Sequence, residues 1–348
     1  MSSIASILLV CACACALVAC QAGPLQKVGD VRGEGPKQGS SQPSTVRLIF
    51  VGDLMLDSGA GRTVAAGGDP LAFVDATLRG ADYAVGNLES PIATVGRPVA
   101  DKPYTFRAHP RVLRVLQGRV DAVSVANNHS GDYGHEAFSQ TLLHLRSAGI
   151  AAFGGGSNLR EAHAPLWIER NGLRIAVLGY NEFLPRSFEA GPTWPGVAWS
   201  EDDEVVSDIR SARLAGADVV IPFMHWGWEG ESAPSERQRS QARLMIDAGA
   251  AAVVGSHPHV TQGAMLYRGR PIVWSLGNFV FDGFESEETR TGWLLQLTLD
   301  SQGVVAWRTM ATHVDEAGTP RPVAEQKTPC GSRGVAEMQS CAGIGSGP

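Results

Sequence analysis

Residues 46–53, VRLIFVGD, are a short apolar run closed by a Gly-Asp turn, and the same grammar recurs four more times along the chain. Residues 83–89 (YAVGNLE), 120–129 (VDAVSVANNH), 218–225 (DVVIPFMH) and 251–257 (AAVVGSH) each run apolar and end on side chains able to hold a ligand. Short apolar runs bounded by turn residues read as buried strands. Between them, residues 134–148 (GHEAFSQTLLHLRSA) place apolar positions at helical spacing and stop at Gly149; residues 201–215 and 235–248 behave likewise. Strand and helix in alternation imply parallel pairing, with helices packed on the sheet faces. Residues 264–281 and 292–313 change character, alternating and carrying the hairpin signal Asp300-Ser-Gln-Gly303, so antiparallel strands are expected to close an α/β body spanning 46–318. From 319 to 348 Pro, Gly and Ser return, which reads as a loose C-terminal tail. Cys330 and Cys341 can close a short loop there in an oxidising compartment. The sequence alone leaves paired and free thiols both open.

The whole chain has 348 residues, 44% hydrophobic and 18% charged, with 29 Lys+Arg against 35 Asp+Glu and a net charge of -6. Such a composition excludes disorder for most of the chain and suffices for one large domain or two moderate ones. No long Lys/Arg run suggests a nucleic-acid or anionic-membrane surface, although an anionic substrate in a local site is compatible with it. Four of the six cysteines, Cys11, Cys13, Cys15 and Cys20, fall in the first twenty residues, so no disulfide framework is present. Residues 4–20 are apolar and uncharged, too short for a membrane span of about 20 residues and suited to a signal-peptide core. The ending Leu17-Val-Ala-Cys20 resembles the lipobox of bacterial lipoproteins, which predicts a signal peptide over 1–19 and a diacylglyceryl anchor on Cys20. Ordinary secretory cleavage and a different start codon are the alternatives. With an export signal the mature chain lies outside the cytosol, in the cell envelope facing the periplasm or exterior. Residues 20–45, rich in Gly, Pro, Ser and Gln, read as a flexible tether.

Open α/β sheets bind ligands at the carboxyl ends of their strands, where the loops converge. Every chemistry-bearing cluster here ends such a run: Asp53, Asn87, Glu89, Asn127, Asn128, His129, His225, His257 and His259. Carboxylates, amide carbonyls and imidazoles without thiolates form a mixed O/N set suited to Mn, Fe or Zn rather than Ca. The number of ligands suffices for one or two divalent ions. Two ions about 3.5–4 Å apart would polarise a phosphoryl oxygen and lower the pKa of a water. Each residue also has an ordinary reading. Asp53 and Asp57 could cap the following helix, Glu89 could be a solvated loop acid, and His225 beside Trp226 and Trp228 could belong to a packed aromatic turn. Arg62 and Arg107 could meet an anionic substrate or be plain surface charge. Gly154-Gly-Gly156 could cradle an anion but has no P-loop ending, so an ordinary tight connection is expected there.

Six ordered motifs, FVGDLML (50–56), GNLESP (86–91), VANNHSGDYG (125–134), HWGWE (225–229), GSHPHVTQG (255–263) and SLGNFVFD (275–282), resemble the CapA family of poly-gamma-glutamate capsule biosynthesis proteins. That family is in turn similar to the calcineurin-like metallophosphoesterases. The resemblance implies a metallophosphoesterase-like sandwich of two mixed β-sheets flanked by helices, four layers in all. Matched by motif, Asp53, Glu89, Asn128, His225, His257 and His259 stand as metal ligands, with Glu89 near the bridging carboxylate. His129 stands as the catalytic histidine that assists the leaving group. Asn87, Asn127 and Arg62 are then expected on the substrate side. Two positions depart from the metallophosphoesterase pattern: Met55 replaces the histidine of Asp-X-His, and Asn87 replaces the aspartate of Gly-Asp, with the carboxylate displaced to Glu89.

Three functions follow from these readings. The first is a metal-dependent hydrolase of a phosphoester or of an anionic polymer. The second is an accessory protein of capsule synthesis or export. The third, a metal-free binding lipoprotein, would use Trp194, Trp199, Trp226 and Trp228 but leaves the histidine-carboxylate pattern idle.

Overall fold

The structure, a computed structural model, describes residues 44–184 and 186–344. The apolar leader, Cys20 and the tether through residue 43 lie outside the described residues. Among those described, no helix is long and apolar enough to cross a membrane.

The first sheet grows from β1 (Val46–Leu54), which pairs in parallel with β2 (Tyr83–Leu88); β3 (Ala122–Ser124) and β4 (Ala151–Phe153) continue on that side. On its other side β1 meets β14 (Thr291–Asp300) antiparallel, followed by β15 (Gly303–Val314). The β14–β15 turn is the two-residue hairpin expected from Asp300-Ser-Gln-Gly303, with Gln302 N–H donating to Asp300 Oδ1. The second sheet runs β11 (Ala264–Tyr267), β12 (Arg270–Val273), β10 (Val253–Ser256), β9 (Val219–His225), β7 (Leu173–Asn181), β6 (Leu166–Arg170). β7, β9, β10 and β12 are parallel neighbours, and the hairpins β6–β7 and β11–β12 close the two edges. A separate two-stranded ribbon joins β5 (Gly155–Gly156) to β8 (Gly196–Val197), so the glycine run serves as the tight connection expected of it.

The alternation in β1 builds the layers. Ile49 and Val51 face α1 (Ser58–Ala65), α2 (Asp75–Arg79), α3 (Leu113–Leu116) and α4 (Gly134–Ser147), packing with Val64, Leu78, Leu116 and Leu145. Leu48 and Phe50 point the opposite way, into a core between the sheets with Ile175, Ile221 and Leu297. There the Phe50 and Phe223 rings meet edge to face at 5.5 Å. Behind the second sheet lie the short α5 (Leu159–Ala162), α6 (Asp202–Leu214) and α7 (Glu236–Ala248), whose Ala162, Ile209 and Met245 bury against Leu178 and Val220. Helix, sheet, sheet, helix is the four-layer arrangement expected. A strand covered on both faces must be apolar throughout, which is why the runs read as continuous rather than alternating.

Two expectations need correction. Of the 319–348 segment, the described part through residue 344 is not a loose tail, because β16 (Pro320–Pro322) and β17 (Lys327–Ser332) pair with β15, and β18 (Gln339–Ala342) pairs with β17. A Cys330–Cys341 disulfide ties the last two together, and Thr328 and Thr309 each donate a hydroxyl to a carbonyl across the ladder. Backbone pairing and a crosslink hold this edge with little apolar burial, so hydrophobic patterning carries no trace of it. Second, the late region is not wholly antiparallel. β13 (Asn278–Val280) leaves the second sheet's edge and pairs in parallel with β1, beside Asp53, before the short α8 (Glu287–Arg290) leads into β14.

Candidate metal centre

The carboxyl ends of β1, β2, β9 and β10 and the loop after β3 converge on one buried cluster. Asp53, Glu89, His225 and His257 are at most 1% exposed, His259 4%, His129 5% and Asn128 8%. All six expected ligands and the expected catalytic histidine are thus brought together. Three overlapping groups have donor atoms within 4.8 Å of one another: Glu89 with His225 and His257, Asp53 with Glu89 and His259, and Glu229 with His257 and His259. His257 and His259 hold φ of 101° and 59°, a left-handed backbone that is strained for residues with a Cβ and is met mainly where function demands a direction.

The asparagines divide into two kinds. Asn128 Oδ1 lies 2.8 Å from His225 Nε2, within the ligand cluster. Asn87 and Asn127 correct the expectation that they face substrate, because their polar atoms are spent inside the protein. Asn87 Nδ2 donates to Asp53 at 2.8 Å and lies 3.1 Å from His225 Nδ1, and its carbonyl accepts from Asn127. Asn127 also donates to Leu88 O and accepts the His129 N–H, tying the β2 and β3 loops together. Replacing the family-pattern aspartate with Asn87 therefore yields a brace for Asp53 and His225. Met55, at the other departure, is buried and lines the cavity above the cluster. Arg62 lies on α1 with its side chain 77% exposed, 3.8 Å from Asp282 at the cavity rim and outside the cluster. Arg107 is structural: it donates to Val95 O and Gly96 O and stacks on Tyr133.

His129 is held by residues that the motif reading did not assign. Its Nδ1 lies 2.8 Å from Asp132 Oδ2, while Lys102 pairs with Asp132 and donates to Asn128 O. With Nδ1 committed to Asp132, Nε2 is the nitrogen left for proton exchange. Asn278 similarly bonds His259 Nδ1 at 2.9 Å. Asp132, three residues after His129, was findable from spacing. Lys102 comes from a distant segment whose only signal is the fold, whereas Asn278 stands in the SLGNFVFD motif, which marks the segment without giving this residue a duty. Over the cluster opens a cavity of about 420 Å³ walled by Tyr104, Phe106, Phe281 and Phe284, with Glu229 and Asp282 at its polar side.

The electrostatics favour a bound cation. Among the described residues, neither carboxylate oxygen of Glu89 and neither ring nitrogen of His257 has a hydrogen-bond partner, though all four atoms are buried. Unpartnered buried polar atoms are costly, and a divalent ion is the partner that suits carboxylate and imidazole lone pairs together. Burial, reinforced by Asp53 and Glu229, raises the Glu89 carboxyl well above the usual carboxylate range. Burial and the neighbouring imidazoles push His225 and His257 well below theirs, which leaves both neutral and able to coordinate. Burial also lowers His259, but hydrogen bonding and charge from Asp53 outweigh it and hold that ring above its ordinary value. For His129, burial outweighs the pull of Asp132, and the ring is held below its ordinary value. The donors fit a divalent ion of the Mn, Fe or Zn kind.

The four-layer α/β sandwich thus carries a buried cluster of carboxylates and histidines at its strand ends. Residues 47–283 match the family described as Bacterial capsule synthesis protein PGA_cap, and the chain belongs to that family. It is 33% identical over 297 residues to the PGA biosynthesis protein CapA of Bacillus subtilis, covering 84% of this chain and 77% of that one. It is 31% identical over 285 residues to the capsule biosynthesis protein CapA of Bacillus anthracis, covering 79% and 69%. Among solved structures, a hypothetical protein from Thermus thermophilus overlays with a TM-score of 0.48 at 16% identity, covering 76% of this chain and 98% of that one.

Proposed function

We propose that this chain serves in the synthesis or export of poly-gamma-glutamate or a related anionic capsular polymer, and that its buried cluster is a divalent-metal hydrolytic site acting on a phosphoester or on the polymer. Family membership supports the first part. The observation that carries the second is the unpartnered pair Glu89 and His257, whose donor atoms share one buried space with His225.

In this reading Asp53, Glu89, Asn128, His225, His257 and His259 hold one or two ions, which supply Lewis acidity toward a phosphoryl or acyl oxygen. Asn87 and Asn278 fix the directions of Asp53, His225 and His259. His129, oriented by Asp132 and Lys102, exchanges a proton with the leaving group through Nε2. The aromatic walls exclude water from around the reacting bond. The site belongs in the bacterial cell envelope, facing the periplasm or exterior, with the lipid on Cys20 as membrane anchor and capsule machinery as partner. Mass spectrometry of the mature N-terminus tests the anchor: a diacylated Cys20 is expected, and an unmodified residue after cleavage elsewhere contradicts it.

The function is tested with full-length protein on bis(p-nitrophenyl) phosphate and on poly-gamma-glutamate, with turnover followed before and after chelation. Chelator-sensitive hydrolysis of one of them, lost in His129→Ala, is expected. Polymer binding that survives chelation, without turnover of either substrate, would instead assign an accessory role.

A further inference from the structure

At the opposite pole of the second sheet, away from the metal centre, lies a cavity of about 370 Å³. It is built where the amino ends of β9 and β10 meet the β11–β12 and β14–β15 turns. Four arginines line it: Arg213 from α6, Arg268 and Arg270 from the β11–β12 turn, and Arg333 after β17. The seven residues of β9 separate it from His225, which at about 3.3 Å per residue is roughly 20 Å. It is therefore a site distinct from the metal centre.

The four arginines are not equally neutralised. Arg333 is held by Asp300 through two hydrogen bonds of 2.8 and 2.6 Å, and Arg268 lies 3.1 Å from Asp247. Arg213 and Arg270 have no ion-pair partner among the described residues. Each uses only Nη1, on backbone carbonyls: Arg213 on Ala217 O and Asp218 O, Arg270 on Ile246 O and Ala250 O. These bonds tie each guanidinium to the chain that leaves α6 or α7 and fix both in place, while Nε and Nη2 of each keep no protein partner among the described residues. Asp218, the one acid lining the cavity among the described residues, accepts the Arg174 N–H with its carboxylate. Burial, with Arg213 and Arg268 close by and Asp247 opposing, lowers Arg270 below the ordinary guanidinium value.

We infer that this arginine cavity is a second anion-binding site, and that it holds carboxylates of a polyglutamate chain at the pole remote from the metal centre. Fixed guanidiniums with forked, unspent donors match carboxylates geometrically, and a cavity of this size lies in the range of ligand sites, about 300–1,000 Å³. The choice of a carboxylate chain rests on the proposed function; the anion site itself does not. A chain engaged at both poles would have to lie along the sandwich, so the second site would hold the polymer while the first acts on it.

Fluorescence anisotropy of a labelled gamma-linked oligoglutamate with the full-length protein tests this, at low and physiological salt. Saturable binding that weakens with salt is expected, reduced about tenfold or more by Arg213→Gln with Arg270→Gln. Should the double variant fail to fold, Ser301→Glu, in the exposed β14–β15 turn lining the cavity, places a negative charge there without disturbing either guanidinium anchor, and the same loss is expected. Equal binding by parent, arginine and Ser301 variants overturns the inference, since it would place the polymer elsewhere on the protein. Absence of binding in a parent that retains metal and turnover overturns it while leaving the proposed function intact. Stronger competition by inorganic phosphate than by unlabelled oligoglutamate would overturn the carboxylate assignment.

Discussion

Glu89 and His257 are the residues on which the chemistry turns, since a buried acid and a buried imidazole with no partners are destabilising unless something cationic satisfies them. Glu89→Gln keeps the shape and removes the charge, so metal bound per chain is expected to fall in that variant. In chelator-stripped protein Glu89 is raised toward its protonated form, so metal uptake must displace its proton. Affinity should therefore rise with pH, with proton release measurable by calorimetry in buffers of different ionisation enthalpy; a flat pH dependence contradicts the assigned ligand. Asp132→Ala releases His129 and should lower kcat by about ten- to a hundredfold with little change in KM and altered pH dependence. The clustered side chains were legible in the sequence because each ends an apolar run. Lys102 was not, since only folding brings it to His129; Asn278 stood in the SLGNFVFD motif, but only folding shows its bond to His259. Asn87 and Asn127 were placed in the right site with the wrong duty, because residue type alone does not say where an amide spends its bonds.

At the scale of elements, the site depends on how closely β1 is gripped on both sides. A Cβ on Gly52 would lie 1.9 Å from Gly277 O, and one on Gly292 1.8 Å from Asn278 O. Gly52→Ala must push β1 away from the segment that leads into β13, and with it Asp53 away from Asn278. A loss of stability of about 2–3 kcal/mol and weakened metal binding are expected together, readable by denaturant melts and metal titration. Tyr83, opening β2, is pushed up to about 12 by burial and Asp121, with Arg170 opposing. A raised folded value means its contribution is present below the unfolded value of about 10 and is lost as pH rises to about 12, so alkaline unfolding should begin in that window and shift in Tyr83→Phe. The parallel strands and long helices were readable from apolar runs and helical spacing. β13 was not, because three residues entering a foreign sheet leave no period to detect.

For the whole molecule, the sandwich places the carboxylate and histidine cluster at one pole and, beyond the C-terminal edge, a crosslinked extension of the first sheet. Removing the Cys330–Cys341 bond with Cys330→Ser frees a loop of sequence separation 11 and should cost about 3 kcal/mol by loop entropy. Turnover of the folded protein should persist, since the bond staples β17 to β18 and not the ligand-bearing strands. The C-terminal segment misled because composition reports burial, and this edge is held by ladder and crosslink. The bland net charge of -6 fits the same picture, as an anionic substrate can be met by metal ions and by locally fixed arginines without a basic surface. Asp53, Glu89, His225, His257 and His259 are proposed to form a divalent-metal site. Elemental analysis of the full-length protein, purified without chelator beside Glu89→Gln, tests it most directly. Stoichiometric Mn, Fe or Zn in the parent and a clear loss in the variant is the expected result; a folded parent without stoichiometric metal, or equal metal in both, would contradict it.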